Sequence, residues 1–146
     1  MNVVSFKKTN VFLVVLLSNL TLGLYIPYWF IARKKAFNEW NQNQINFTAL
    51  NALFIVYLFL LFYNLLGFAF LTDYGKSIFD SIDLILTSFG LGIMYFSVFR
   101  AKEVIEDGVG EEFNFWLLLF FHIWYLQYKI NRLDFHREQT PLEVSR

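Results

Sequence analysis

The sequence predicts an all-α integral membrane protein, a four-helix bundle made of two related helical hairpins. Three observations carry this expectation. The chain is 57% hydrophobic and 16% charged, whereas soluble domains run near 45–50% apolar and about 25% charged. The excess lies in four apolar blocks of roughly 16–23 residues, and about 20 such residues cross a hydrocarbon core roughly 30 Å thick. Finally, one stretch recurs along the chain without a gap. At 146 residues, a single transmembrane domain over 1–146 is expected.

Block one runs from about Val11 to Ile31, block two from about Ala49 to Leu71, block three from about Ile82 to Phe99 and block four from about Phe113 to Tyr128. Backbone groups in lipid must be paired internally, so the blocks are expected to be helices. A β-barrel would need alternating polarity, which FIVYLFLLF at Phe54–Phe62 lacks. Block one follows Lys7 and Lys8 as a signal peptide would, but it has no cleavage pattern and leads into Arg33-Lys34-Lys35. It is read as a retained span. Block four is short for a span, and either tilts little, extends into the aromatic interface or enters without crossing. The connecting segments are Ala36–Thr48, rich in Asn and Gln, Thr72–Ser81, and the acidic Ala101–Glu112 with Gly108 and Gly110 as breakers. The tail Asn131–Arg146 is charged and expected to fray.

The recurring stretch is TLGLYIPYWFIARKK (Thr21–Lys35), which aligns with SFGLGIMYFSVFRAK (Ser88–Lys102). Gly23 meets Gly90, Tyr28 meets Tyr95 and Arg33 meets Arg100. A duplicated two-helix hairpin accounts for this, against the plainer reading that helix ends in lipid share such residues.

Charge leaves the topology open. Basic residues favour the cytoplasmic side. Four crossings put Lys7, Lys8, Lys76, Lys129, Arg132, Arg137 and Arg146 on one side, and Arg33, Lys34, Lys35, Arg100 and Lys102 on the other. Re-entry of blocks one and three would gather nine basic residues against Lys76, Arg100 and Lys102. The expected arrangement is four crossings with cytoplasmic termini.

The block interiors are read as free of Asp, Glu, Lys and Arg, which argues against a pump or proton-coupled transporter. Asn19 with Gly23, and Ser88 with Gly92, stand four apart, where small and polar residues let helices approach and hydrogen-bond. Pro27, four residues after Gly23, is expected to kink the first span or mark a hairpin apex. Asn51, Asn64, His122 and Gln127 are candidate intramembrane polar groups, either paired between helices or lining one pathway. His122 has no second ligand at i+3 or i+4 and His136 is remote in the tail, so packing outweighs a metal or pH-sensing role. Tyr28, Trp29 and Arg33, with Tyr95 and Arg100, read as aromatic–basic anchors at headgroup level, or as a headgroup-binding surface. Trp29 to Arg33 and Phe96 to Arg100 are i,i+4 pairs suited to cation–π contact.

No catalytic residue, cofactor or metal site is expected. DGVGEE (Asp107–Glu112) lacks the lysine of a phosphate loop and the spacing of a calcium loop. The absence of cysteine excludes disulfides and thiolate ligands, and balanced charge gives no case for nucleic acid.

The run T-x-G-x-Y-x-x-Y-W-F at Thr21–Phe30 resembles the small bacterial membrane proteins of the domain of unknown function 4234 family. So does LILTSFGLGIMYFSV (Leu84–Val98), and the Gln127–Asn131 spacing is similar to that family's Gln-x-x-x-Asn ending. Pro27 makes the first run similar also to the domain of unknown function 898 family. The resemblance covers about a third of the chain. It implies a multi-pass bacterial inner-membrane protein and brings no activity with it. The leading expectation is a non-enzymatic accessory or scaffold protein whose partners are membrane lipid and other membrane proteins or copies of itself. The alternatives are a small oligomeric transporter or channel subunit, and a lipid-associated, membrane-shaping protein with re-entrant helices.

Overall fold

The structure, a computed structural model, describes residues 6–40 and 45–133. Among these, all regular structure is helical. The helices are α1 (Val11–Leu20), α2 (Tyr25–Ile31), α3 (Lys34–Trp40), α4 (Phe47–Phe70), α5 (Asp73–Val109) and α6 (Phe115–Arg132). Arg137, Pro141, Arg146 and the second histidine, His136, lie outside the described residues.

Two helices, α4 and α5, are long and apolar enough to cross a membrane. They form an antiparallel pair with a minimal turn. Leu71 is extended, and the Thr72 hydroxyl accepts from the Gly75 N–H to start α5. Block three therefore sits inside a much longer helix, and neither flanking polar segment is mainly loop. The 37 residues of α5 absorb Asp73 through Ser81 at one end and Ala101 through Val109 at the other. Gly108 does not break it. Gly110, at φ 73°, does, with its N–H on the Glu106 carbonyl.

The α4–α5 seam closes on Gly90. A Cβ there would stand 2.5 Å from Tyr57 Oη and 2.8 Å from Leu53 Cδ1. Gly92, two residues on, has nothing within 4 Å, and Ser88 is exposed with its hydroxyl on the Leu84 carbonyl. The expected Ser88–Gly92 packing face is thus not used within this chain; the close approach belongs to Gly90. Gly90→Leu is expected to destabilise by about 1–3 kcal/mol through overpacking. Gly92→Ala is expected to stabilise by about 0.5–1 kcal/mol through helix propensity. Thermal midpoints of the two variants in one detergent compare them directly.

Block one is not one helix. As a straight helix it would hold Thr9 and Arg33 about 36 Å apart. Instead Arg33 Nη2 donates to Thr9 Oγ1 at 2.9 Å and to the Lys7 carbonyl at 3.1 Å. The block folds back on itself. Its apex is a Schellman turn: Gly23 N–H reaches the Ser18 carbonyl at 2.8 Å and Leu22 N–H the Asn19 carbonyl at 3.2 Å. Leu22 and Gly23 have φ 50° and 90°. Thr21 joins the two helices, its hydroxyl donating to Leu17 O and accepting from Tyr25 N–H. Pro27 is the third residue of α2, where its missing N–H would have no helical partner anyway. It lies in the first turn of the returning helix and neither kinks a span nor forms the apex. Asn19 and Gly23 do not share a helix face, because α1 ends between them; Asn19 is exposed and bonds its own Val15 carbonyl.

Block four folds back too. His122 has φ 47° and ψ −128°, which divides α6 into arms 115–121 and 123–132. Tyr125 Oη accepts from Asn114 N–H at 3.2 Å, and Lys129 Nζ lies 3.5 Å from Glu111. A straight helix would separate residues 111 and 129 by about 27 Å. The described chain is therefore two long helices with two short helical hairpins beside them. The halves of the sequence repeat also differ in backbone: Gly23 ends a helix, while Gly90 lies within one.

The hairpins and α3 share one core with the first turn of α4 and the last turns of α5. Trp29, Phe30, Phe37, Leu50, Val98, Ile105, Leu118, Ile123, Leu126 and Ile130 are buried there.

Candidate functional site

The bases of the two hairpins meet in a buried polar cluster. Gln127 is 0% exposed, and its Oε1 accepts from Trp29 Nε1 at 2.7 Å and Arg33 Nη2 at 2.9 Å. Gln127 Nε2 donates to Asn131 Oδ1 at 2.8 Å. Asn131 in turn clamps the Thr9 backbone, its Nδ2 donating to Thr9 O at 2.7 Å and its Oδ1 accepting from Thr9 N–H at 3.2 Å. Arg33 Nη1 donates to the Trp29 carbonyl at 3.3 Å, and the guanidinium lies 4.1 Å from the centre of the Trp29 ring.

Helix geometry explains the pairs. Trp29 and Arg33 are four apart, as are Gln127 and Asn131, so each pair projects from one face. Trp29 leaves α2 just before the chain turns into α3, and Gln127 lies in the returning arm of α6. Arg33 is 5% exposed and touches no carboxylate among the described residues. Its Nε has no protein partner there. Burial pulls its pKa down to about 10, so the guanidinium stays charged at neutral pH, with its Nη1 and Nη2 on neutral acceptors.

This corrects the anchor reading for two of its five residues. Trp29 is 0% exposed and Arg33 is buried, so neither faces headgroups. Tyr28 is exposed. Tyr95 is half-buried, donating to the Leu119 carbonyl at 3.1 Å. Arg100 is half-exposed, pairs with Glu103 at 2.8 Å and lies 5.5 Å from the Phe96 ring centre. Both i,i+4 cation–π contacts are therefore present.

The four intramembrane polar candidates do not come together. Asn51 is exposed. Asn64 bonds Leu60 O at 2.9 Å and Asp83 Oδ2 at 3.4 Å. His122 packs edge-on against Tyr95, 4.6 Å between ring centres, and Gln127 belongs to the hairpin cluster. His122 Nε2 is buried without a protein partner, and the described residues contain no group of three metal-ligating side chains.

Asp83 corrects the reading of charge-free interiors, since it stands inside block three as bounded by Ile82 and Phe99. It accepts from Thr87 Oγ1 at 3.0 Å, and one turn away Tyr63 Oη donates to Asp80 at 2.7 Å. The Thr87 bond lies within α5, while Tyr63–Asp80 and Asn64–Asp83 tie α4 to α5 near the end opposite the hairpins. The sequence reading also passed over Thr9 and the pairing of Asn131; the only signal was the i,i+4 spacing of Gln127 and Asn131.

Comparison with protein-family models, curated proteins and solved structures found no match to this chain.

Proposed function

We propose that this is a multi-pass membrane protein that inserts asymmetrically, two helices crossing the bilayer and two hairpins entering the cytoplasmic leaflet only, and that it thereby shapes the bilayer. One observation carries the reading: both hairpins fold back, and their bases meet at Thr9, Arg33, Gln127 and Asn131. Four hairpin arms then lie beside α4 and α5 in one leaflet, and the other leaflet holds α4 and α5 alone. Each helix is about 10 Å across, so the protein is a wedge.

Depth agrees with this placement. Gly23 at the first apex sits against Tyr57, ten residues into α4. That is about 15 Å, half of a core roughly 30 Å thick. The outer faces of the hairpins are apolar, with Phe12, Leu16 and Leu20 on α1 and Trp116, Phe120 and Phe121 on α6 exposed. Charge supports the orientation. Lys7, Lys8, Arg33, Lys34, Lys35, Arg100, Lys102, Lys129 and Arg132 lie at the hairpin-base end, and Lys76 alone among the described basic residues lies at the other. That asymmetry is the normal one for a cytoplasmic face. It emerges when blocks one and four re-enter and block three crosses.

In this reading the protein is non-enzymatic and of the kind its motifs resemble, a bacterial inner-membrane accessory protein. The dispersal of Asn51, Asn64, His122 and Gln127 weighs against a single pathway through the chain. The test is orientation sorting by curvature. A single Lys35→Cys chain is reconstituted into vesicles of graded diameter, and its labelling from outside is measured. A wedge places its broad end in the outer leaflet of small vesicles, so outside labelling is expected to rise as diameter falls. Equal labelling at every diameter would sink the proposal.

A further inference from the structure

A groove runs down the outside of α5, beside the start of α4. Its upper part holds about 420 Å³ and is lined by Asn46, Ala49, Gly92, Ile93, Phe96 and Ser97. It continues past Ser88 and Phe89 into a shallower recess at Leu84 and Ile85. From Ser97 to Leu84 it covers thirteen positions of helix, about 20 Å. One leaflet's share of the hydrocarbon core is about 15 Å. The groove therefore starts at the hairpin-base end and passes the midplane. Its floor is Gly92, where the absence of a side chain leaves the hollow open.

Two cations stand beside the mouth, Arg100 in an ion pair with Glu103 at 2.8 Å. The Arg100 guanidinium lies 5.5 Å from the centre of the Phe96 ring, which forms one wall. Lys34 Nζ lies 5.6 Å from the centre of the Phe47 ring, next to Asn46 on the other wall. An apolar slot that runs the depth of one leaflet and past the midplane, with positive charge at its mouth, matches a lipid that is apolar below and anionic above.

We propose that this groove binds one acyl chain of an anionic glycerophospholipid of the cytoplasmic leaflet, with its phosphate between Lys34 and Arg100. The proposal rests on the membrane placement above. The phosphate makes charge-assisted hydrogen bonds to Lys34 and, in place of Glu103, to Arg100, and the chain fills the hollow over Gly92.

The full-length protein is exchanged into mixed phosphatidylglycerol–phosphatidylcholine vesicles and re-extracted in mild detergent, and retained lipid is counted by native mass spectrometry. Retained phosphatidylglycerol in excess over phosphatidylcholine is expected. Lys34→Ala with Arg100→Ala should lower that preference about fivefold per residue removed. Gly92→Phe should abolish retention of both lipids. Ala49→Phe fills the groove from the other wall and should do the same, so a folding defect in one variant is recognised by the other. Retention unchanged by both phenylalanines overturns the proposal, as does a preference unchanged by the double alanine variant. Efficient Gly92→Cys disulfide dimerisation in native membranes, without retained lipid, overturns it in favour of a second copy of the chain. Labelling of Lys35→Cys and Lys76→Cys from the same side would instead overturn the membrane placement, whatever lipid is retained.

Discussion

Gln127→Leu is expected to be the most damaging single change in the chain, costing about 3 kcal/mol or more. The leucine matches the glutamine in bulk but removes the oxygen that serves Trp29 Nε1 and Arg33 Nη2 together. A buried indole donor left without an acceptor costs about 1–3 kcal/mol, and a lost hydrogen bond to a charged donor about 1.5–3 kcal/mol. Arg33 keeps Thr9, Lys7 and its own helix carbonyl, which puts the sum near its lower end. Gln127→Glu is the informative contrast. It keeps the shared acceptor and gives Arg33 a carboxylate, losing only the donation to Asn131. Its loss should be less than half that of the leucine variant. Thermal midpoints by fluorescence-detected size exclusion compare them, and equal losses would show that shape rather than the shared acceptor matters at this position.

Arg33 also fixes a pH expectation. Its folded pKa, about 10, lies below the 12.5 of the free side chain. The unfolded chain binds the extra proton between those values, so burial of the charge is a cost below pH 10 that diminishes only above it. Arg33 should therefore contribute no pH dependence to stability near neutrality, where it is charged in both states. Its place in the core follows from its acceptors and from the Trp29 ring beneath it.

Composition and block length were enough to reach an all-helical fold and the two long helices, because both depend on summed hydrophobicity. The fold-back of blocks one and four was not legible in the same way. Hydropathy counts residues and does not register backbone direction. Val11–Ile31 has the length of a span, yet Leu22 and Gly23 take positive φ in its middle. The T-x-G motif carried the information as a helix stop, with Thr21 bonding both ways and Gly23 free to turn, and it was read as a packing surface. His122 offered less: a non-glycine residue at φ 47° has no sequence signature, and as an imidazole in an apolar run it drew attention to ligands rather than to backbone. The sequence repeat misled in the opposite direction. Its matches at glycine and arginine are real, but Ser88 bonds back to Leu84 within a continuous helix, so like residues sit on unlike backbones. Seven-against-five charge counting left the topology open, since it treated every block as one continuous helix.

Gly23→Val tests whether the turn makes the hairpin. The chain has no cysteine, so single cysteines at Lys8, Lys35 and Lys76 report sidedness to an impermeant maleimide without background. In the parent chain Lys8→Cys and Lys35→Cys are expected to react from one side and Lys76→Cys from the other. Valine at φ 90° would be strained by about 1–3 kcal/mol. Its Cβ would also lie 3.4 Å from Tyr57 Cε2, with two further methyl carbons to place. The competing conformation is the straight helix that the turn prevents. Twenty-one residues over Val11–Ile31 would extend about 31 Å, enough to cross a core of roughly 30 Å. Gly23→Val should therefore yield a second population in which Lys8→Cys and Lys35→Cys react from opposite sides. Adding Gln127→Leu should enlarge that population, because the cluster at the hairpin bases is what opposes the crossing. Opposite-side labelling already in the parent chain would refute the hairpin itself. Same-side labelling in the double variant would mean that packing of Trp29 and Phe30 in the core, rather than the turn and the polar cluster, holds the hairpin closed.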